Sequence, residues 1–343
     1  MTSLTFNHFA TADILHLVIL PTEKCNFRCV YCNQAFLIGA MKHETVEGIQ
    51  NLLIKRKPDL RQLVISWFGG EPLLAYGTIV ELMDFIANRI LSGIGGPIFK
   101  SGMSTNGYLL TVDRLRTLSA LGIREYQVTL DGAAAEHNTL RLSLNGKPTF
   151  DTIWANLVKA RDTNAEFKII IRLHVNRNNI DSMRRLLDGL ASVFGSDRRF
   201  EVYVRRLANG IGPNYASLTT LPADRSDAVN TLIRGARSRG LNIHGNEYWQ
   251  AGTCAASALN SFVIRADGRI SKCLLVLDDE RNVIGKLKRD GTMSLESDEL
   301  KWWSRGLFSN DIKERGCPAS PLVQHARTMR AQSLVNIGVP PTN

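Results

Sequence analysis

Three cysteines lie within eight residues of one another near the N-terminus, at Cys25, Cys29 and Cys32. They follow the apolar run ILHLVIL (14–20), which is typical of a buried strand, so the sequence places them in the loop at the end of that strand. Three thiolates this close can hold three corners of a cubane iron–sulfur cluster. The fourth iron is then left without a protein ligand and can bind a ligand from outside the protein.

Two other uses of these thiols have to be weighed. A structural zinc site needs a fourth Cys or His, and the nearest one, His43, stands 11 residues further on, where a helix is expected to begin. A thioredoxin-like C-x-x-C would use Cys29 and Cys32 and leave Cys25 without a role. An iron–sulfur site therefore accounts for more of the pattern.

Short β-rich runs alternate with amphipathic helical stretches from residue 14 to about residue 240. The predicted strands are 14–20, 63–69, 98–105, 125–131, 167–175 and 200–207. Helical patterns between them include 78–91, 111–122 and 182–195, the second with Thr111 as its N-terminal cap. Six βα units predict an α/β protein with a parallel sheet, either doubly wound or a partial barrel. In both, chemistry belongs on the loops that follow the strands.

The cysteine loop resembles the signature of the radical S-adenosylmethionine (radical SAM) superfamily, C-x₃-C-x₂-C with an aromatic residue, here Tyr31, before the last cysteine. The resemblance implies a partial (β/α)₆ TIM-like barrel and a [4Fe-4S] cluster on Cys25, Cys29 and Cys32. It also implies that S-adenosylmethionine binds the open iron and is cleaved reductively to a 5′-deoxyadenosyl radical, which abstracts a substrate hydrogen. Tyr31 would pack against the adenine, the alternative being an ordinary core aromatic.

Further motifs at predicted strand ends resemble those of the same superfamily. Gly69-Gly70-Glu71 is similar to the GGE motif that meets the methionine amino group, and Ser104-Thr105-Asn106-Gly107 is similar to S-T-N-G, with Ser104 and Asn106 facing the cofactor. The alternatives are a strand-to-helix turn for the first and an Asn-Gly turn for the second.

The run that follows the fourth strand resembles the family's S-L-D-G…H-D-x-x-R. It assigns Arg141 to the cofactor carboxylate, and Asn138 stands where Asp is usual. Asp131 is a candidate general base, with a turn residue as the alternative reading. Asn176 and Asn179, after the fifth strand, match the family's N-x-x-R-x-N segment and are candidate contacts to the cofactor ribose.

The composition changes near residue 241, and we divide the chain into a radical SAM core (1–240) and a small loop-rich domain (241–343). The second contains a predicted β-hairpin with Asp267-Gly268 at its turn. Its cysteines form C-x₁₃-G-x₄-C and a later Gly-Cys-Pro, which resembles a shortened SPASM or twitch domain with an auxiliary iron–sulfur cluster. The expected ligands are Cys254, Cys273 and Cys317.

A fourth ligand for the auxiliary cluster has to come from outside these cysteines. The sequence leaves open the substrate, a water molecule, His244 or His325. Three buried cysteines without a metal are the alternative to an auxiliary cluster.

The formal net charge of +10 raises the question of a nucleic-acid partner. The arginines are scattered in pairs and not interleaved with aromatic residues, so nucleic-acid binding, including tRNA modification, is disfavoured. No apolar run reaches the length of a membrane span, and the N-terminus lacks the features of a signal peptide. A cytoplasmic location is the expectation.

All six cysteines are assigned to the two sites, which leaves no thiol to return a hydrogen atom to a substrate radical and disfavours epimerisation. We therefore expect oxidative modification of a peptide, as in the maturation of ribosomally made precursors, with an external reductant such as flavodoxin or ferredoxin. The rival functions are dehydrogenation of a small alcohol or of a protein Ser or Cys, as in sulfatase maturation, and an iron–sulfur redox sensor.

Overall fold

The computed structural model describes residues 9–93, 95–207, 226–245, 252–309, 311–326 and 328. In chain order its strands and helices are β1 (Ile14–Ile19), β2 (Phe27–Cys29), α1 (His43–Arg56), β3 (Gln62–Trp67), α2 (Tyr76–Phe85), β4 (Ile98–Thr105), α3 (Val112–Ala120), β5 (Glu125–Thr129), α4 (Ala134–Leu140), β6 (Arg141–Ser143), α5 (Phe150–Arg161), β7 (Lys168–Val175), α6 (Ile180–Phe194), β8 (Phe200–Arg206), α7 (Ser226–Ser238), β9 (Ser261–Ile264), β10 (Arg269–Ser271), β11 (Val283–Leu287), β12 (Met293–Leu295), α8 (Ser297–Ser309) and α9 (Ile312–Gly316).

The six strands predicted from the sequence form the parallel part of the main sheet, in the order β1-β3-β4-β5-β7-β8. Each neighbouring pair is parallel, and a helix lies between successive strands along the chain. The predicted α/β class is confirmed. Because all six strands run the same way, their C-terminal ends meet at one edge of the sheet, where the predicted site residues stand.

Alternation along β1 shows how the strands divide the interior. Leu15, Leu17 and Ile19 are fully buried in the main apolar cluster that the helices cover. His16, on the other face, lies between the hydroxyls of Ser66 and Ser261, at 2.9 and 3.1 Å. The helix-facing side of the sheet is therefore apolar, and the opposite side carries polar groups.

Two of the predicted helices differ from the sequence pattern only at their ends. The pattern over 78–91 becomes α2 and then a π-helical turn over Ile86–Ile90. The helix predicted from Thr111 begins as expected, since the Thr111 side chain accepts a hydrogen bond from the backbone N–H of Arg114.

The C-terminal strands extend the same sheet. β9 pairs parallel with β1, β10 pairs antiparallel with β9, and β11 and β12 complete a ten-stranded sheet. The predicted hairpin is present, with Gly268 at a φ of 84° in its turn. The division of the chain at residue 240 stays a prediction.

None of the helices in the described ranges combines the length and the apolar character that a membrane crossing requires.

Candidate active site

The cysteine loop is held at two places beyond β1. Its middle forms β2, which pairs antiparallel with β6, so that Cys29 stands opposite Arg141. The side-chain amide of Asn106, at the end of β4, donates to the side-chain oxygen of Asn26 at 2.8 Å. These contacts fix the loop against the ends of two segments that are distant in sequence.

The three thiols of this loop are free and partly buried. Burial raises the pKa of Cys25 to about 12, and the neighbouring Cys29 and Cys32 add to the increase. Burial also raises the pKa of Cys29 to about 11, although the charge of Arg141 opposes it. The thiols are therefore protonated without a metal, and a metal that binds here has to displace the protons.

The three thiols lie close enough to act on one another electrostatically. Within the described ranges, no three His, Cys, Asp or Glu side chains are placed to hold one metal ion. In a cubane cluster each thiolate binds a different iron, so the sulfurs do not have to converge on a single point.

Asp131, at the end of β5, is the centre of a buried polar network. Its carboxylate accepts a hydrogen bond from the Tyr31 hydroxyl, and that hydroxyl accepts one from the guanidinium of Arg141. Arg141 and His174 lie 3.9 and 3.3 Å from the carboxylate oxygens. The network ties the cysteine loop, through Tyr31, to the ends of β5 and β7 and the start of β6.

The charges in this network are balanced within it. Burial alone would raise the pKa of Asp131, but His174 and the charges around it, including Arg141, hold that pKa well below its ordinary value. Burial lowers the pKa of His174 to about 4 and raises the pKa of Tyr31 well above its ordinary value. At neutral pH the network is thus an Asp–Arg ion pair with a neutral phenol and a neutral imidazole.

Asn138, the departure from the family pattern, has a structural role. Its side-chain oxygen accepts hydrogen bonds from the backbone N–H groups of Thr149 and Phe150 at 2.9 and 3.0 Å, where α5 begins. An amide oxygen is sufficient for such a cap, so the substitution of Asp by Asn leaves this function intact.

His137 is a buried residue whose role the sequence did not indicate. Its Nδ1 accepts from the backbone N–H of Asp131 at 3.3 Å, and its Nε2 lies 3.2 Å from the Thr149 hydroxyl. Burial lowers the pKa of His137 to about 3. The neutral ring fixes the backbone of Asp131.

Gly69 and Gly70 let the loop after β3 lie directly on the backbone that precedes the cysteines. A Cβ on Gly69 would stand 2.1 Å from the carbonyl oxygen of Thr22, and one on Gly70 would stand 2.3 Å from that of Lys24. Gly69 also has a φ of 133°, which a side chain disfavours. Both glycines are thus required by the packing of the chain on itself, independently of any ligand.

Glu71 is fully buried and joins the loops after β3 and β4. Its Oε1 accepts from the Leu73 N–H and the Thr105 hydroxyl at 3.0 and 2.8 Å, and its Oε2 accepts from the Asn106 N–H at 2.7 Å. Burial raises the pKa of this carboxyl. Since a carboxylate has about four lone-pair positions, Oε2 keeps room for one more donor, and a contact to a cofactor ammonium stays a prediction.

The other predicted cofactor contacts bind neighbouring chain segments. Ser104 accepts from the Gln127 side chain at 3.1 Å. Asn179 donates to the backbone carbonyls of Asp131 and His174 at 3.1 and 2.9 Å, and its oxygen accepts from the Asn176 N–H at 2.9 Å. These bonds order the strand ends, and the assignment of these residues to the cofactor remains a prediction.

A second group of thiols is assembled from three separate segments. The backbone N–H of Cys254 donates to the carbonyl of Arg315 at 2.9 Å, two residues before Cys317. The side chain of Asn282 accepts from the Cys273 N–H and donates to the Cys273 carbonyl, at 2.9 and 2.8 Å. Burial raises the pKa of Cys273 to about 12, with contributions from Cys254 and Cys317. The structure therefore brings these three thiols together.

Lys272 lies beside this second group. Its side chain is buried, and burial lowers its pKa to about 7, an effect that Cys254 opposes.

The two histidines considered as a fourth ligand have different surroundings. His244 lies 2.6 Å from Glu201 on β8, at the other end of the strand order from β10. His325 is exposed, and its charge acts on Asp279, which lies in the loop after Cys273.

A buried ion pair connects the two thiol groups. The guanidinium of Arg265, at the end of β9, forms a bidentate pair with Glu23 at 2.9 and 2.7 Å, and it also donates to the carbonyl of Leu277. Glu23 lies two residues before Cys25. The C-terminal hairpin is thereby fixed to the N-terminal cysteine loop.

Comparison with known families gives a match to the radical SAM superfamily over residues 19–188. The chain belongs to this superfamily. Members hold a [4Fe-4S] cluster and S-adenosylmethionine, and they are enzymes. The three free thiols of one loop, of which two have strongly raised pKa values, match the donors that such a cluster needs, so Cys25, Cys29 and Cys32 are the residues that would hold it.

Three curated relatives show how broad the similarity is. The AdoMet-dependent heme synthase of Nitratidesulfovibrio vulgaris is 27% identical over 165 residues, 48% of this chain but only 41% of that protein. The GTP 3',8-cyclase of Helicobacter pylori is 26% identical over 293 residues, 77% of this chain and 81% of the relative. The sporulation killing factor maturation protein SkfB of Bacillus subtilis is 23% identical over 300 residues, 82% and 67% of the two chains.

Two solved structures share the fold of this radical SAM enzyme. The structure of anSMEcpe with bound AdoMet and the Cp18Cys peptide has a TM-score of 0.62 and 18% identity, covering 85% of this chain and 83% of the other. Streptococcus suis SuiB bound to its precursor peptide SuiA has a TM-score of 0.58 and 15% identity, covering 87% and 66%. The predicted partial TIM-like barrel is confirmed by this likeness.

Proposed function

We propose that this radical SAM enzyme oxidises a peptide and installs a cross-link in a ribosomally made precursor. The observation that supports this most directly is the second group of thiols, Cys254, Cys273 and Cys317, which the fold gathers from three segments beside a buried cation. An auxiliary iron–sulfur cluster on these thiols would give the enzyme an electron acceptor inside the protein.

The electron count connects that acceptor to the product. When bound and reduced, S-adenosylmethionine supplies a 5′-deoxyadenosyl radical that takes one hydrogen atom from the substrate. The remaining substrate radical forms its new bond by losing one electron and one proton. Cys254, Cys273 and Cys317 would hold the centre that receives the electron, and the proton goes to a base or to water. The substrate loses two electrons and two hydrogens in total.

The surroundings of Asp131 favour a positioning role over that of the base. A carboxylate whose pKa lies well below its ordinary value accepts a proton poorly near neutral pH. Asp131 is also bound by Tyr31 and paired with Arg141. In this proposal it orients the cysteine loop, and the base is another group.

The comparisons support a peptide as the substrate. SkfB is named as a maturation protein and aligns over most of this chain. The structures of anSMEcpe and SuiB with similar folds contain bound peptides. The chain of this protein is thus similar along most of its length to proteins that act on or bind peptides.

The test is the reaction of the anaerobically reconstituted enzyme with the precursor peptide encoded next to its gene. Reductant and S-adenosylmethionine should give 5′-deoxyadenosine and a peptide about 2 mass units lighter for each cross-link. Tandem mass spectrometry should show no fragments between the joined residues. A peptide of unchanged mass, in a reaction that does produce 5′-deoxyadenosine, contradicts the proposal.

The same experiment separates the rival functions. Dehydrogenation of a Ser or Cys side chain also removes two hydrogens, but the product fragments normally and its carbonyl reacts with a hydrazine. A redox sensor produces no 5′-deoxyadenosine under dithionite.

A nucleotide is the second candidate substrate, because the relative from Helicobacter pylori is named a GTP 3',8-cyclase and aligns over 77% of this chain. Incubation with GTP in place of the peptide tests it directly. Consumption of GTP that depends on S-adenosylmethionine supports the nucleotide, and GTP that stays intact while the peptide is modified rejects it.

A further inference from the structure

Lys272 is a buried lysine at the end of β10, directly before Cys273. Only 5% of the residue is exposed. Its ammonium donates to the backbone carbonyls of Ala258 and Ser261, the latter at 2.7 Å, and lies 5.1 Å from the ring centre of Phe262. These partners are all neutral.

The nearby Arg265 shows what the fold does with a buried cation when a partner is present. Arg265 is 1% exposed and forms a bidentate pair with Glu23. In the part of the chain that the structure describes, Lys272 has no carboxylate within 4.0 Å and forms no ion pair. A buried ammonium is costly without a counter-charge, and carbonyl oxygens replace its lost hydration only in part.

The groups that can supply the missing negative charge are the neighbouring thiols. Cys254 is close enough to Lys272 for each to act on the other electrostatically, and Cys273 is the next residue. Protonated thiols carry no charge, but thiolates bound to iron do. The position of Lys272 therefore makes sense when the three cysteines hold a cluster.

We propose that Lys272 is the fixed counter-charge of an iron–sulfur cluster on Cys254, Cys273 and Cys317, and that it favours the reduced state of that cluster. This inference rests on the auxiliary cluster of the proposed function and adds a residue that sets its redox behaviour. Lys272 does not bind the metal. It is a positioning and electrostatic residue.

The direction of the effect follows from charge. A cluster with three thiolate ligands is net negative and becomes one unit more negative when it accepts an electron. A nearby buried cation stabilises the more negative state more strongly, because the attraction scales with the product of the charges in a medium of low dielectric constant. Lys272 therefore raises the reduction potential and makes the cluster a better acceptor for an electron from a substrate radical.

The test is a redox titration of the full-length, reconstituted enzyme, followed by electron paramagnetic resonance. The signal of the second cluster is obtained by subtracting the spectrum of a Cys254→Ala/Cys273→Ala/Cys317→Ala variant. In Lys272→Met the ratio of reduced to oxidised second cluster at a given potential should fall about tenfold, which corresponds to 59 mV for one electron. Lys272→Arg should stay close to the wild type.

Lys286→Met is the matched control, since Lys286 is an exposed lysine on β11 of the same hairpin region. It removes the same charge from the surface, where water screens it, and should leave the titration unchanged. Equal midpoints for Lys272→Met, Lys286→Met and the wild type overturn the inference.

Thermal unfolding of the metal-free protein distinguishes a counter-charge from a structural tie. Without a cluster, replacing an unpaired buried ammonium by Met should keep or raise the unfolding midpoint. A lower midpoint together with an unchanged potential shows that Lys272 only links backbone segments, and it rejects the inference.

Iron analysis separates the failure of this inference from that of the proposed function. If the triple cysteine variant binds as much iron as the wild type, there is no second cluster and both proposals fail. If iron falls in that variant but the Lys272→Met potential does not move, only the role of Lys272 is wrong.

Discussion

The two thiol groups of this protein are built in opposite ways. Cys25, Cys29 and Cys32 come from one loop at the end of the first parallel strand. Cys254, Cys273 and Cys317 come from three segments, joined by backbone contacts such as the bond from the Cys254 N–H to the Arg315 carbonyl. The first group is encoded locally and then anchored, whereas the second exists only after the C-terminal segments have folded together.

The two groups also differ in how charge is balanced around them. Beside the first, Arg141 is paired with Asp131, and Tyr31 connects the two. Beside the second, Lys272 contacts only neutral groups. The first environment is complete without a metal in its charge balance, and the second is not. We infer that the second environment depends more strongly on its ligand.

The largest expected effect is on the first group. Cys29→Ala removes one of the thiols assigned to the S-adenosylmethionine cluster, so formation of 5′-deoxyadenosine should fall to background. The measurement is chromatography of 5′-deoxyadenosine under dithionite. Cys317→Ala is the matched control and should keep this activity; retained cleavage in Cys29→Ala contradicts the assignment.

The second group should be separable from the first. The triple Ala variant of Cys254, Cys273 and Cys317 should lower bound iron from about eight to about four atoms per chain, if each site holds a four-iron cluster. It should still cleave S-adenosylmethionine but form no oxidised peptide. Iron and sulfide analysis beside product mass spectrometry checks this. An active triple variant would show that the second group has no part in the reaction.

The ion pair that joins the two groups should contribute to stability. Arg265→Met leaves Glu23 buried without a partner, and breaking a buried pair in this way costs about 3–5 kcal/mol. Urea unfolding measures the loss. The double variant Glu23→Leu/Arg265→Met should recover much of it, because no unpaired charge remains. A single variant as stable as the wild type rules out a buried pair.

The smallest expected effect is the pH dependence that His16 contributes on β1. Burial, and then the charge of Lys272, lower its pKa to about 4 in the folded protein, against about 6.5 in an unfolded chain. The unfolded state therefore binds more protons between these values, and stability falls as the pH is lowered through them, by up to about 1.4 kcal/mol per pH unit.

Urea unfolding between about pH 7 and pH 5 tests this. His16→Gln keeps the polar contacts to Ser66 and Ser261 but cannot titrate, so its stability should vary less with pH than that of the wild type. His43→Gln changes an exposed histidine and serves as control. Equal slopes for both variants reject the assignment.

Much of the barrel could be predicted because its signals are local. The strand predicted over 98–105 has those bounds in the structure, and the cap at Thr111 and the turn at Gly268 are where the sequence placed them. Strand patterns, caps and turns depend on residues within a few positions of one another. The contacts within the site do not, and the pairing of β2 with β6 had no sequence signal.

The site residues illustrate the same limit. The sequence identified Glu71, Arg141 and Asn179 as chemically important but gave no indication that they bind neighbouring segments of the chain. Their partners come from other loops, as when Asn179 reaches the carbonyl of Asp131, 48 residues away. Such pairs depend on which strand ends meet, and one chain without relatives carries no record of that.

By itself, the sequence determined the spacing of the first three cysteines, the six parallel strands and the superfamily to which they belong. Only the tertiary structure decided that Lys272 stands beside the second thiol group and that Arg265 pairs with Glu23, 242 positions away. The physical reason is range. Backbone geometry and side-chain periodicity act over one turn or one strand, whereas burial and charge pairing depend on the segments that folding brings together.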